Sequence, residues 1–210
     1  MIEKIEKSFS LAESHSELPK ELLEMKGMSG RQTRKFINAI CSFKGTRYLE
    51  IGSWTGSTAC SALCNNSIEY TFVDNWSQFD GPKDIFIQNI EKYKKNSTGS
   101  IIEQDCWDID PNTLLKSNVY LYDGNHGHHA QRKALTHFLP ALDDEFIFMV
   151  DDWNLDRARW GTNKGIEENS LNVLYKHEIL TTPDGSHPPA EKSGAKSDWH
   201  NGFAIFVLKK

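Results

Sequence analysis

Carboxylate side chains stand at the ends of successive apolar runs in this sequence: Asp74, Asp105, Asp123 and the adjacent pair Asp151 and Asp152. In an open parallel sheet the carboxyl ends of the strands meet along one edge, and ligands bind in the crevice outside that edge. Carboxylates placed there can accept hydrogen bonds from sugar hydroxyls or share a bound cation. The pattern therefore predicts a ligand-binding crevice lined by acidic groups.

A glycine turn, Gly52-Ser-Trp-Thr-Gly56, follows the first apolar run. Its glycines permit positive φ and close backbone approach, while the amides that start the next helix can face a ligand. Trp54 replaces the second glycine of a G-x-G-x-x-G fingerprint, and no G-x-x-x-x-G-K-[ST] sequence occurs, so NAD binding and the P-loop enzymes are disfavoured. Tight strand-to-helix packing is the alternative explanation for the two glycines.

Three further groups extend this prediction. Asp74 comes 22 residues after Gly52, where a carboxylate can accept hydrogen bonds from both hydroxyls of a ribose. Asp105-Cys-Trp107 offers a carboxylate for an adenine amino group and an aromatic face for its ring. Glu50, inside an apolar run, is costly to bury unless it meets a cation such as an amino-acid ammonium group.

The elements that position these groups alternate between short strand-like and longer helix-like runs, which favours an α/β fold with a mainly parallel sheet covered on both faces. The predicted strands are 46–52, Glu69–Trp76, Ser100–Asp105, Asn118–Gly124, Glu145–Trp153, His177–Thr182 and Gly202–Lys210. The predicted helices are Leu18–Met25, Gly30–Ser42, Ser57–Cys64, Lys83–Lys94 and 129–142. No helical run separates the last two strands, so residues 183–201 are expected to be a long hairpin loop, either facing substrate or without structure.

Composition limits the class of protein. The 210 residues, 38% of them hydrophobic, suffice for one domain with one core. The net charge of −5 and the lack of a basic tract argue against nucleic acid as a partner. No apolar run approaches the roughly 20 residues that span a bilayer, and the amino-terminal residues do not resemble a signal peptide, so a cytoplasmic protein without membrane contacts is expected.

Glu50-x-Gly52-x-x-x-Gly56, followed by Asp74, Asp105 and Asp123 at later strand ends, resembles the class I S-adenosylmethionine-dependent methyltransferases. The resemblance covers about residues 45–210 and implies a Rossmann-like, doubly wound sheet of seven strands with an antiparallel last strand. It implies that Glu50 and the glycine turn contact the methionine part of the cofactor, that Asp74 contacts the ribose, and that Asp105–Trp107 contact the adenine. The full set of implied cofactor contacts is Glu50, Gly52, Ser53, Trp54, Thr55, Gly56, Asp74, Asn75, Asp105, Cys106, Trp107 and Asp123.

In that arrangement Asp123, Asp151 and Asp152 meet beside the sulfonium. Three carboxylates in one place repel each other unless a cation joins them, and oxygen ligands favour Mg²⁺, Ca²⁺ or Mn²⁺ over zinc. Such an ion can chelate a substrate hydroxyl, lower its pKa and hold its oxygen in line with the methyl carbon. The alternative is that one aspartate only caps the following helix.

Asp123-Gly-Asn-His126 and Asp151-Asp152 are similar to the metal-dependent O-methyltransferases, both the catechol type and, more closely, the macrocin and mycinamicin sugar type. The resemblance implies Mg²⁺-assisted O-methylation of a small hydroxylated acceptor, either a sugar or a phenol. His126 becomes the candidate general base beside Asp123, since a neutral imidazole can take the hydroxyl proton. Alternatively, His126 caps a helix or bonds to a neighbour.

The chain lacks most of the larger amino-terminal portion of the sugar enzymes. Residues 1–44 are therefore expected to be a separate helical segment that covers the cofactor, packs on the sheet or makes a dimer contact, and a homo-oligomer is one expectation. Arg157, Arg159 and Trp160 are expected to form an acceptor-site rim, with a solvated helix surface as the alternative.

Two other functions fit the same residues. One is a non-catalytic, cofactor-binding module of the same fold, whose acidic cluster no longer binds metal. The other is a metal-dependent hydrolase that directs Asp123, His126, Asp151 and Asp152 at water. A nucleic-acid methyltransferase is disfavoured by the charge.

Overall fold

A computed structural model describes residues 1–14 and 18–210. Within them one sheet is formed by β1 (Arg47–Ile51), β2 (Glu69–Asp74), β3 (Thr98–Glu103), β4 (Ser117–Tyr122), β5 (Leu142–Asp151), β6 (Asn172–Ile179) and β7 (Phe203–Lys209). The strand order is β3-β2-β1-β4-β5-β7-β6, and β7 runs antiparallel to both of its neighbours. This confirms the predicted seven-stranded, mainly parallel sheet with an antiparallel last strand.

Helices cover both faces of the sheet, as predicted. Among the described residues the α-helices are α1 (Ile2–Ser14), α2 (Lys20–Leu23), α3 (Arg31–Cys41), α4 (Ser57–Leu63), α5 (Lys83–Tyr93), α6 (His128–Phe138) and α7 (Asp156–Glu168). Apolar residues of α1–α5 share one core cluster, whereas those of α6 and α7 share the other. No helix in the described part of the chain is long and apolar enough to cross a membrane.

Alternation along the central strands fixes where the polar side chains at their ends point. Side chains of a strand face opposite sides of the sheet in turn. Tyr48, Leu121 and Met149 all pack in the α1–α5 core. The residues two positions further on are Glu50, Asp123 and Asp151, which therefore point to that same face. Pairing of β4 with β5 puts Asp123 beside Asp151, whereas the register of β1 with β4 puts Glu50 opposite Leu121, two residues before Asp123 on the same face.

Two predicted strands are displaced. The third strand is Thr98–Glu103 and not Ser100–Asp105, because the Asp105 side chain instead accepts a hydrogen bond from the Trp107 amide and begins a short 3-10 helix. The sixth strand begins at Asn172, five residues before the predicted start at His177. Most of its residues are exposed at the sheet edge, so no buried apolar run marks it.

The amino-terminal segment is fastened to the glycine turn by a buried arginine. The Arg34 guanidinium donates hydrogen bonds to the carbonyl oxygens of Leu22 (2.8 Å) and Met25 (2.9 Å) and to the hydroxyl of Ser29 (3.0 Å). Ser29 in turn bonds the Ser57 hydroxyl at the start of α4 at 2.9 Å. Burial lowers the pKa of Arg34 to about 10, which leaves the group charged at neutral pH. The cation therefore holds the 22–29 segment against the sheet domain.

We expect Arg34→Met to lower the free energy of unfolding by about 2–4 kcal/mol, because several buried acceptors lose a charged donor. Arg157→Met, which removes an exposed guanidinium from α7, should change it by less than about 0.5 kcal/mol. Urea denaturation followed by tryptophan fluorescence measures both. Equal stability of the two variants would show that Arg34 does not fasten the segment.

Candidate active site

The site lies where the chain switches faces of the sheet, between β1 and β4. The amide of Asp123 donates to the carbonyl of Ile51 at 2.9 Å, so the residues after the two strands run side by side. Gly52 has φ of +90°, and a Cβ atom there would overlap the carbonyl oxygen of Asp123. Glycine is required at this position by the close approach of two backbones. That approach brings the glycine turn and Asp123 into one crevice.

The Asp74 carboxylate holds the shape of the glycine turn. One oxygen accepts from the Trp54 amide (2.8 Å) and the other from the Trp76 amide (2.7 Å). The Trp76 indole also donates to the carbonyl of Trp54 at 2.8 Å. Trp54 has φ of 43°, a left-handed conformation that is rare for a bulky residue. Gly56 has φ of +89°, the positive φ that the sequence predicted for this glycine, and it is the N-cap of α4.

The amino-terminal segment covers this turn. The Thr55 hydroxyl donates to the Lys26 carbonyl at 2.7 Å, and the Lys26 ammonium lies 5.4 Å from the centre of the Trp54 ring. Ser53 and Thr55 are both buried as a result. Sequence reasoning did not find Lys26, because no local pattern indicates which distant loop would close over the turn.

Glu50 is fully buried beneath the turn. The Tyr48 hydroxyl donates to one carboxylate oxygen at 2.6 Å, and the Thr58 hydroxyl donates to the other at 3.0 Å. Burial raises the pKa of Glu50 to about 7, against the opposing effect of these hydrogen bonds. Among the described residues no lysine or arginine pairs with it. The group is therefore balanced between its neutral and charged forms and would favour a cationic ligand.

The residues expected around adenine lie at the same edge. The amide of Gln104 donates to the Asp74 carbonyl at 3.2 Å, which places Asp105 beside the end of β2. Cys106 is partly buried, and burial raises the pKa of its thiol to about 12. The Trp107 ring lies 4.4 Å from the Lys133 ammonium and packs against α6. The exposed Asn75 uses its side-chain oxygen locally, accepting from the Ser77 amide at 3.0 Å.

Asp123, His126 and Asp151 form a cluster in which one ligand atom of each lies within 4.8 Å of the others. The Nε2 atom of His126 is 3.5 Å from Asp123 Oδ1 and 3.6 Å from Asp152 Oδ2. Asp152, in a left-handed conformation with φ of 58°, thus meets the same ring nitrogen as Asp123. Sequence reasoning named all four residues, but it had not predicted that His126 lies between the carboxylates.

The cluster has the donors and the charge that suit a divalent cation. Burial raises the pKa of both Asp123 and Asp151, and the negative charge of Asp152 raises both further. The Oδ1 atom of Asp151 is buried and, within residues 1–14 and 18–210, has no hydrogen-bond partner. A hard divalent ion would remove both penalties, since it accepts carboxylate oxygens as ligands.

A buried amide controls the other side of the His126 ring. Gln131 Nε2 lies 3.1 Å from His126 Nδ1, and Gln131 Oε1 accepts from the Thr162 hydroxyl at 3.2 Å. With this amide orientation the neutral ring carries its proton on Nε2, whereas the reversed amide leaves Nε2 with its lone pair toward the carboxylates. Sequence reasoning missed Gln131. The available signal was a polar residue at the apolar spacing of Ala134, Leu135 and Phe138 on α6.

The residues expected to form an acceptor rim on α7 differ in how free their side chains are. The Arg159 guanidinium donates hydrogen bonds to the carbonyls of Trp153 and Asn154, both at 2.7 Å. It also forms an ion pair with Asp156. Arg159 is therefore used to hold the end of β5, and it is not free to grip a substrate. Trp160 remains half exposed beside His128.

Comparison with solved structures gives whole-chain matches, whereas no family model and no curated protein sequence matches the chain. The O-methyltransferase TomG from Streptomyces achromogenes, solved with S-adenosylmethionine, matches with a TM-score of 0.62 and 11% identity over 100% of this chain and 98% of its own. An O-methyltransferase from Bacillus cereus, solved with S-adenosylhomocysteine, matches with a TM-score of 0.60 and 14% identity over 100% of both chains.

A proposed RNA methyltransferase from Pyrococcus horikoshii also matches, with a TM-score of 0.57 and 16% identity over 100% of this chain and 99% of its own. At such low identities the likeness establishes the architecture, including the strand order. The resemblance inferred from the sequence is confirmed at that level: the chain has the fold of the class I S-adenosylmethionine-dependent methyltransferases.

Proposed function

We propose that this protein is an S-adenosylmethionine-dependent O-methyltransferase that acts, with the help of a divalent cation, on a small hydroxylated molecule such as a sugar or a phenol. The observation that carries the proposal is the meeting of two acidic half-sites in one crevice. The Asp74-held turn with Glu50 forms one half, and the Asp123, His126 and Asp151 cluster forms the other. The backbone contact between Gly52 and Asp123 joins them.

In the cofactor half, the turn amides and Glu50 would hold the methionine part, with Glu50 facing its ammonium group. Asp74 would accept from the ribose hydroxyls, because each carboxylate oxygen that already takes one backbone amide keeps a further acceptor position. Asp105, Cys106 and Trp107 would border the adenine. The solved structures that hold this cofactor or its product support such a use of the fold.

In the metal half, Asp123, Asp151 and Asp152 would hold Mg²⁺, which supplies a positive charge that lowers the pKa of an acceptor hydroxyl. With the Gln131 amide reversed, so that it accepts from Nδ1–H, His126 Nε2 presents a lone pair to the same space and can either bind the ion or take a proton, but not both at once. We assign it the proton. S-adenosylmethionine would supply the methyl group from its sulfonium and leave as a neutral thioether, and His126 would take the proton that the acceptor hydroxyl loses.

The net charge of −5 supports a small-molecule acceptor over nucleic acid. That preference, the cytoplasmic location and a homo-oligomeric state remain predictions.

Asp74→Asn should weaken S-adenosylhomocysteine binding by roughly 10–100-fold, because the carboxylate contributes charge-assisted hydrogen bonds to the ribose. Titration calorimetry measures the dissociation constant. Asp144→Asn, an equal change in charge at the opposite end of the sheet, should leave it unchanged. An unaltered constant in the Asp74 variant would remove this residue from the cofactor site.

Glu50 should release protons when the cofactor product binds. Its pKa of about 7 means that it is half protonated at pH 7, and an ammonium ligand would drive it to the charged form. About half a proton should therefore leave per binding event at pH 7, more at pH 6 and almost none at pH 8. Calorimetry in buffers of different ionisation enthalpy counts these protons. Glu50→Gln should abolish the release, and the same release in both proteins would contradict the ammonium contact.

Two variants should affect metal binding and proton transfer separately. Asp151→Asn, which is isosteric, should weaken Mn²⁺ binding at least about tenfold, because a ligand charge is lost at close range. His126→Gln should bind Mn²⁺ within about threefold of the parent yet lose roughly 100-fold or more in kcat. Electron paramagnetic resonance of free Mn²⁺ measures the first effect, and methyl transfer to a hydroxylated acceptor measures the second.

EDTA should abolish transfer by the parent protein and Mg²⁺ should restore it. Transfer that is indifferent to EDTA would exclude the metal role. A large loss of Mn²⁺ affinity in His126→Gln would instead make His126 a ligand.

A further inference from the structure

A second feature of the molecule is a cavity of about 570 Å³ between the start of α3 and the 181–200 segment. This volume falls in the usual range for small-molecule sites, about 300–1,000 Å³. The α3 amides of Arg31 and Gln32 donate to the carbonyls of Ser197 and Asp198, both at 2.8 Å, which fixes the loop against the helix. The long hairpin loop thus forms one wall of the cavity.

The cavity is lined by three cations, Arg31, Lys192 and Lys196, against one carboxylate, Asp198. This is a positive surface on a chain whose net charge is −5. The Arg31 guanidinium already forms an ion pair with the Glu24 carboxylate, at 3.6 Å. Neither lysine forms an ion pair with a carboxylate of the described residues, so their charges are available to a ligand. Such a lining suits a carboxylate or a phosphate group.

One end of the cavity adjoins the residues that follow β5, because the Asn154 amide donates to the carbonyl of Asn201, next to His200, at 2.9 Å. His200 lines the cavity, and its Nδ1 accepts from the Gly194 amide at 2.7 Å. Burial lowers the pKa of His200, while the nearby charge of Asp152 acts in the opposite direction. Asn154, two residues after Asp152, also donates to the hydroxyl of Thr181 in the cavity wall at 2.8 Å.

We propose that this cavity is the acceptor site and that the acceptor is an anion bearing a carboxylate or phosphate group, an inference that rests on the proposed function. Lys192 and Lys196, with Arg31, would bind the anionic group, and the hydroxyl to be methylated would extend past His200 toward the cluster. The assignment adds no chemical step. It places the specificity of the enzyme in the loop between β6 and β7.

Matched ligand pairs test this assignment. Catechol is compared with 3,4-dihydroxybenzoate, and glucose with glucose 6-phosphate, by titration calorimetry on the protein alone and with S-adenosylhomocysteine. In the parent protein at least one acidic member should bind at least tenfold more tightly than its neutral partner. Lys192→Gln/Lys196→Gln should remove that preference and leave the neutral partner's affinity unchanged. The two pairs also distinguish a carboxylate from a phosphate.

The matched control is Lys44→Gln/Lys116→Gln, which removes the same charge from exposed lysines ahead of β1 and β4, at the opposite edge of the sheet. It should keep the preference. The assignment is overturned if no acidic ligand binds better than its neutral partner, or if the preference survives loss of Lys192 and Lys196. Failure of S-adenosylhomocysteine to bind would instead refute the proposed function.

Discussion

The burial of carboxylates at one edge of the sheet without lysine or arginine partners is the constraint on which the rest of the structure depends. Glu50, Asp123 and Asp151 all enter the α1–α5 face, and within the described residues none of them meets a lysine or arginine. Removing a charge from water without a partner is expensive, so each group has a raised pKa. A cationic ligand at this edge would lower that cost.

Around this edge, several distant parts of the chain act as supports. Asp74 fixes the turn that faces Glu50, Arg34 fastens the segment that covers the turn, and Gln131 sets the ring of His126. Residues Trp54 and Asp152 adopt left-handed backbone conformations at the crevice. Such strain persists only where surrounding contacts hold it, and it is concentrated at functional sites.

The features that could be predicted from the sequence are those that depend on the pattern of apolar and polar residues within short stretches of the chain. The apolar runs marked the strands, and the rule that strand ends share an edge brought Asp74, Asp105, Asp123 and Asp151 together. The Arg34 contacts and the Gln131–Thr162 pair depend on residues far apart in the chain, so no local spacing reveals them. The start of β6 was missed because an exposed edge strand needs few apolar residues. His126 was named, but its place between two carboxylates follows from the conformation of Asp152.

The position of β7 between β5 and β6 makes the last strand the support of the one before it. β6 precedes β7 in the chain, yet it joins the sheet only through β7. A substitution that weakened the pairing of β5 with β7 would therefore release β6 and the connecting loop together, and the contacts of that loop with α3 would be lost with them.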